Sequence, residues 1–191
     1  MKLHHLTVLV LSAVLAGCAG QPGTPTAPEP PTVDASGTFN ALLERYFEDY
    51  LRMHPLHATF IGDHRYDDRL PNDIGPEVRA ERSAMNERYL AEVRTIDPAR
   101  LSPAERISYD IFVREREREQ AAERFPSYLL PINQAGSLLT LMPALGSGSS
   151  AQPFETTRDY ESWLKRLDGM VAWMDQAIVN MREGAARGVV Q

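Results

Sequence analysis

Apolar positions return every three or four residues along most of the chain, the interval that places them on one side of an α-helix. In "TFNALLERYFEDYLRM" Phe39, Leu42, Leu43, Tyr46, Phe47 and Tyr50 share a face, with acids and arginines opposite. Thr38 is placed to cap this helix. His54-Pro55 ends it, because the residue before a proline avoids helical dihedrals. A second helix is expected from Pro76 to Ile96, with Pro76 at its first position and Met85, Tyr89, Val93 and Ile96 inward. A third begins at the capping box Ser102-Pro103-Ala104-Glu105 and buries Ile107 and Ile111. It then runs into "REREREQ" over 114–120, whose alternating charge reads as a solvated helix face.

The stretch around 125–155 breaks this rhythm with prolines and "GSGSS", yet it is too apolar for a loose linker. It is expected to pack across the helices as an irregular, non-helical segment. The last element is the longest. Tyr160, Trp163, Leu164, Leu167, Met170, Val171, Met174, Ile178 and Met181 keep helical spacing and are expected to form core, not a cofactor box. No strand-like alternation and no internal repeat competes with this pattern. The fold class is therefore all-α: an irregular helical array around a long non-helical segment at 125–155.

The N-terminus follows other rules. Lys2 precedes an apolar run of about 11 residues that ends in Leu15-Ala16-Gly17-Cys18. A spanning helix needs roughly 20 apolar residues, so this is a secretory signal and not a membrane anchor. The ending resembles the lipobox of bacterial lipoproteins, in which the cut falls before a cysteine that carries diacylglycerol. An ordinary signal peptide that happens to contain a cysteine is the plainer alternative. Cys18 is thus the expected lipid attachment, and the membrane is a partner through that anchor. Ala19 in the following position suggests, by analogy, an outer-membrane address facing the periplasm. Residues 19–37, "AGQPGTPTAPEPPTVDASG", have too little apolar bulk to offset their ordering entropy and read as a disordered tether. The organisation is a signal over 1–17, a lipidated cysteine and tether over 18–37, and a helical domain over 38–191.

Charge narrows the partners. The chain carries −6 overall and its arginines are interleaved with acids. No basic stripe offers a surface to nucleic acid. With its only cysteine acylated, neither disulfides nor thiolate metal sites remain in this sequence.

The most chemically suggestive stretch is "GDHRYDDRLP" at 62–71, just after "HPLH" at 54–57. His54, His57 and His64, with Asp63, are the one conceivable metal-binding set, but Pro55 removes the helix that would align the first two. Asp63, Asp67 and Asp68 lack the apolar surroundings that would split their pKa values for acid–base work. Arg65 and Arg69 stand ready to pair with these acids, and the turn-forming residues that follow make a structural turn the better reading. No G-x-S-x-G elbow, phosphate-binding loop or H-E-x-x-H helix occurs in the chain. Catalytic and metal residues are accordingly none. Asn133 and Gln134, which interrupt the apolar run "LLPINQ", are candidates for polar groups facing a cleft. Satisfying buried backbone is their alternative role.

The segments "LLERYFEDYLRMHPLHATFIGDHRYDDRLP", "IDPARLSPAERISYDIF", "ERFPSYLLPINQ", "PFETTRDYESWLKRL" and "AIVNMREGAARGVV" follow one another from about Phe39 to Val190. In that order they resemble the opening of the domain-of-unknown-function 885 proteins, which are bacterial, helical and often lipoproteins. Longer members carry, further on, an H-E-x-x-P-G-H-like segment and an E-G-W segment similar to those of zinc metallopeptidases. The resemblance implies zinc and a peptide substrate for those full-length relatives, with a glutamate activating metal-bound water. None of these residues has a counterpart here, so this chain itself is expected to need no cofactor. It reads as the N-terminal, non-catalytic part of a larger helical fold, truncated at its C-terminus and supporting a catalytic half. A stand-alone helical lipoprotein that binds or scaffolds a partner is the alternative, and a small histidine-based metal-binding protein is a third.

Overall fold

The computed structural model describes residues 34–133 and 136–189, all within one compact unit. The expected signal, Cys18, Gln134 and the tether up to residue 33 lie outside the described residues. Among the described residues there are six α-helices and no strand: α1 (Ala35–Met53), α2 (Pro55–Phe60), α3 (Pro76–Val93), α4 (Pro103–Ala122), α5 (Leu138–Leu145) and α6 (Thr157–Ala186). Single turns of 3₁₀-helix stand at His64–Tyr66, Pro98–Arg100 and Ser127–Leu129. The chain is all-α.

Helices α1, α3 and α4 make the main core. Phe39 and Leu42 of α1, Tyr89, Leu90 and Val93 of α3, and Phe112 of α4 meet there, all buried. Tyr46 packs against this core, its ring edge-on to Tyr89 at 5.2 Å and to Phe112 at 4.9 Å. Edge-to-face pairs of this kind satisfy the ring quadrupoles and fix the helices' rotation as well as their separation. On α3 the expected inward residues Met85, Tyr89, Val93 and Ile96 are buried, although the helix ends at Val93 and Ile96 packs from the following turn.

Five sequence expectations need correction. Helix α1 begins at Ala35, not Thr38, and Asp34 takes the N-cap position. Ala35 is part of the core and the Ser36 hydroxyl bonds Glu105 at 3.0 Å, so contact with α4 holds the extra turn in place. Phe47, counted on the inner face, is largely exposed.

The second correction concerns Pro55. Chain direction changes at His54 (φ −125°, ψ 64°), and the helix resumes at once with Pro55 as the first residue of α2. Proline's missing N–H costs nothing at that position. Gly62 then closes α2 with φ +85°, a left-handed conformation suited to glycine. The Asp63 N–H reaches Ala58 O at 2.9 Å and the Gly62 N–H reaches Thr59 O at 3.1 Å, which is the Schellman ending.

In α4 the capping box forms as read: Glu105 N–H donates to the Ser102 hydroxyl, and Ser102 N–H to the Glu105 carboxylate at 2.9 Å. Ile107 and Ile111 are nevertheless exposed, and Phe112 is the buried residue. Tyr109, Phe112, Val113 and Arg116 recur at helical spacing, so they form the inner face in place of the isoleucines.

The segment at 125–155 is not devoid of helix. Residues Leu138–Leu145 form α5, with Met142 and Leu145 buried and Pro143 inside it. The apolar run is long enough to gain more from burial than the proline loses in one backbone hydrogen bond.

The fifth correction is the largest. Helix α6 is turned with five of the nine expected core residues outward, while Trp163, Leu167, Met170 and Met181 are half-buried. Leu164 and Val171 are 61% and 62% exposed, and Tyr160, Met174 and Ile178 are exposed with them. The buried residues are instead Arg166, Trp173, Ala177, Asn180 and Gly184, on the opposite side. Small residues there allow close approach. A Cβ built on Gly169 would lie 2.6 Å from the Leu70 carbonyl oxygen, so α6 rests directly on the backbone of the turn after α2.

Candidate functional site

The turn "GDHRYDDRLP" is built around a buried carboxylate. Asp67 is buried and accepts from the Thr59 hydroxyl at 2.5 Å and from His64 Nδ1 at 2.8 Å. Arg65 pairs with Asp63 at 2.6 Å and with Glu48 at 2.7 Å, and Arg69 stands 3.8 Å from Asp68. Asp67 has a different cation. Arg166 of α6, fully buried, brings Nη2 to 3.6 Å from Asp67 Oδ1. Its guanidinium donates to Thr59 Oγ1 (2.9 Å), Tyr66 O (2.9 Å), Arg69 O (3.1 Å) and Gln152 Oε1 (2.6 Å). Burial draws the Arg166 pKa down, with Asp67 and Asp68 opposing. Arg166 thus fastens α2, the charged turn and the segment before α6 into one unit. Its donors are spent on protein acceptors, so its role is structural.

The three histidines serve separate neighbours. His54 Nδ1 donates to Tyr50 O at 2.8 Å, and its ring stacks on Tyr50 at 4.1 Å. His57 meets the edge of the same Tyr50 ring, whereas His64 belongs to Asp67. Burial lowers the pKa of His54 and outweighs the Tyr50 carbonyl that favours its protonation. Among the described residues no three His, Cys, Asp or Glu side chains converge as a metal-binding group.

Asn133 bonds the backbone of Gly136 in both directions, accepting from its N–H at 2.8 Å and donating to its carbonyl at 3.3 Å. A cleft is walled by other elements. It has a volume of about 690 Å³ and lies among Tyr46 and Tyr50 of α1, Arg79 and Asn86 of α3, Arg116 of α4, and Tyr128. Burial pushes the Tyr46 hydroxyl up to about 12, against the pull of Arg116. No sequence motif announces this cleft, since its residues come one or two at a time from separate helices. Arg166 left a fainter signal: it shares a helical face with Trp173, Ala177, Asn180 and Gly184, a small and polar face opposite an apolar one.

Residues 55–191 match a family described as bacterial protein of unknown function, DUF885. The chain belongs to the DUF885 family. The match takes in α2, the charged turn and everything that follows, and begins later than the Phe39 expected from the resemblance. No curated protein and no solved structure matches the chain. Within the DUF885 region the Schellman glycine Gly62 and the Asp67–Arg166 fastening have a clear physical task.

Proposed function

We propose that this DUF885 chain is the non-catalytic helical support of an envelope lipoprotein, anchored through Cys18 and facing the periplasm. In this reading the exposed stripe of α6 receives the portion of a longer DUF885 protein that resembles a zinc-dependent peptidase. Zinc and the peptide substrate belong to that portion, and this chain braces it.

One observation carries the reading. Tyr160, Leu164, Leu167, Val171, Met174 and Ile178 follow one another at intervals of four, three, four, three and four residues. That is the spacing of a seam made to receive another helix. All but the half-buried Leu167 are exposed, while the opposite face of α6 is already packed. Covering a Leu, Val or Ile side chain is worth about 1.5–3 kcal/mol, so a partner here gains stability from each. Contiguous apolar surface of this kind marks an interaction site.

The test is to mix the chain with the zinc-motif portion of a longer DUF885 protein and measure complex formation by light scattering. A one-to-one complex is expected, and it should be lost in the triple variant Leu164→Glu, Val171→Glu, Ile178→Glu. The same variant should lose the binding of a hydrophobic dye shown by the parent chain. No complex, together with a monomer that binds no dye, would overturn the reading.

A further inference from the structure

The cleft between α1, α3 and α4 is lined by three arginines. Arg52, Arg65, Arg88, Arg94, Arg118 and Arg187 each hold a carboxylate within ion-pair distance. Arg79, Arg82 and Arg116, which line the cleft, form no such pair among the described residues. Two of them lie over aromatic rings. Arg79 Cζ lies 3.6 Å from the centre of the Tyr128 ring, and Arg116 Cζ lies 4.5 Å from that of Tyr46. The Nε atoms of both arginines are buried and lack a hydrogen-bond acceptor.

A second orphan sits beside them. Asn86 is 3% exposed, and its Nδ2 donates to Arg116 O at 2.8 Å, which fixes the amide's orientation. Its Oδ1 is buried and has no donor, and the residue is part of the cleft wall. Buried polar atoms without partners are uncommon in folded proteins, and three of them around one cleft point to a missing molecule.

We propose that this cleft binds a small oxyanion-bearing molecule, a carboxylate or a phosphate, that also carries a hydrogen-bond donor. Arg79, Arg82 and Arg116 take the oxyanion, and Asn86 Oδ1 takes the donor. Planar guanidinium edges match the oxygens of either oxyanion and bind it in two-point fashion. The acids of the cleft limit the general field without competing for these donors. Asp73 accepts from Trp173 Nε1 at 2.8 Å and Glu123 from Ser83 at 2.9 Å, while Glu119 stands at the wall without an arginine. Recognition therefore rests on the local forks and not on a positive surface. The site is independent of the stripe on α6.

The experiment is isothermal titration of the full chain at low salt with inorganic phosphate and, separately, with β-alanine, which joins a carboxylate to an ammonium donor. Saturable binding of at least one is expected, and the preferred probe identifies which oxyanion the site takes. Arg79→Gln and Arg116→Gln should each weaken it about tenfold or more, whereas Arg118→Gln, paired with Glu115 instead of lining the cleft, should not. Circular dichroism establishes that each variant keeps its helices. Should Arg116→Gln fail to fold, Arg82→Gln carries the same expectation without disturbing an aromatic stack. No saturable binding of either probe, or binding equal in parent and folded variants (an adventitious ion only), would overturn the proposal.

Discussion

Arg166 and Asp67 face each other in the interior at 3.6 Å, one from the longest helix and the other from the turn after α2. Neither is reachable by solvent to any useful extent, and Arg166 also supplies donors to Tyr66 O and Arg69 O. Removing the guanidinium leaves a buried carboxylate and two carbonyls short of partners. Breaking a buried pair from one side costs about 3–5 kcal/mol. Arg166→Met is therefore expected to lower the urea midpoint by that equivalent with little change in slope. Arg65→Ala, which breaks an exposed cluster with Asp63 and Glu48, should shift the midpoint far less. Equal effects from the two substitutions would refute the structural weight given to Arg166.

Gly169 tests the close packing of α6 on the charged turn. An added methyl would meet the Leu70 carbonyl oxygen at 2.6 Å and Leu70 Cβ at 2.8 Å. One of the contacts is backbone, so relief requires moving a helix or a turn. Alanine normally favours a helix over glycine by up to about 1 kcal/mol, yet overpacking costs about 1–3 kcal/mol. Gly169→Ala should thus destabilise, by thermal melting, despite its better helix propensity. Ala172→Gly, on the exposed side of the same helix, should destabilise through propensity alone.

These two sites show what was legible in the sequence and what was not. Local rules were readable: the Ser102–Glu105 box starts α4, and the inner positions of α3 follow their spacing. The turn-forming residues of 62–71 were readable too, and a single 3₁₀ turn stands there at His64–Tyr66. The rotation of α6 was not readable, because periodicity reports that a helix has an apolar stripe and not which partner covers it. The packed face carries Arg166 and Asn180, whose burial depends on acceptors such as Tyr66 O and Ile74 O that arrive from distant turns. The same limit hid the cleft. Arg79, Asn86 and Arg116 look like ordinary members of a solvated helix until three helices are assembled.

His54 gives the chain a signed pH dependence. Burial lowers its folded-state pKa below the usual 6.5, and the Arg82 charge acts in the same direction. As pH falls through 6.5 the unfolded chain takes up the proton first, so stability decreases. The loss grows until pH reaches the lowered folded value and then levels off. Above about 6.5 both states are neutral and the stability is fully present. Urea midpoints measured at pH 7.5 and 5.5 should differ more for the parent than for His54→Gln. The carboxylates are common to both proteins, so a slope unchanged by the substitution would remove His54 as its source.

The anchor proposed at Cys18 has a quantitative consequence of its own. A buried methylene contributes about 0.8 kcal/mol to membrane binding, and one acyl chain holds a protein only marginally whereas two or more hold it stably. Among the described residues no helix is long and apolar enough to cross a membrane. Cells expressing the parent chain should place it in the membrane fraction and incorporate labelled palmitate into it. Cys18→Ser should abolish the label and shift the chain out of the membrane fraction. Label retained by the serine variant would mean that the lipid sits elsewhere. A parent chain without label would leave an ordinary signal peptide as the reading of the first residues.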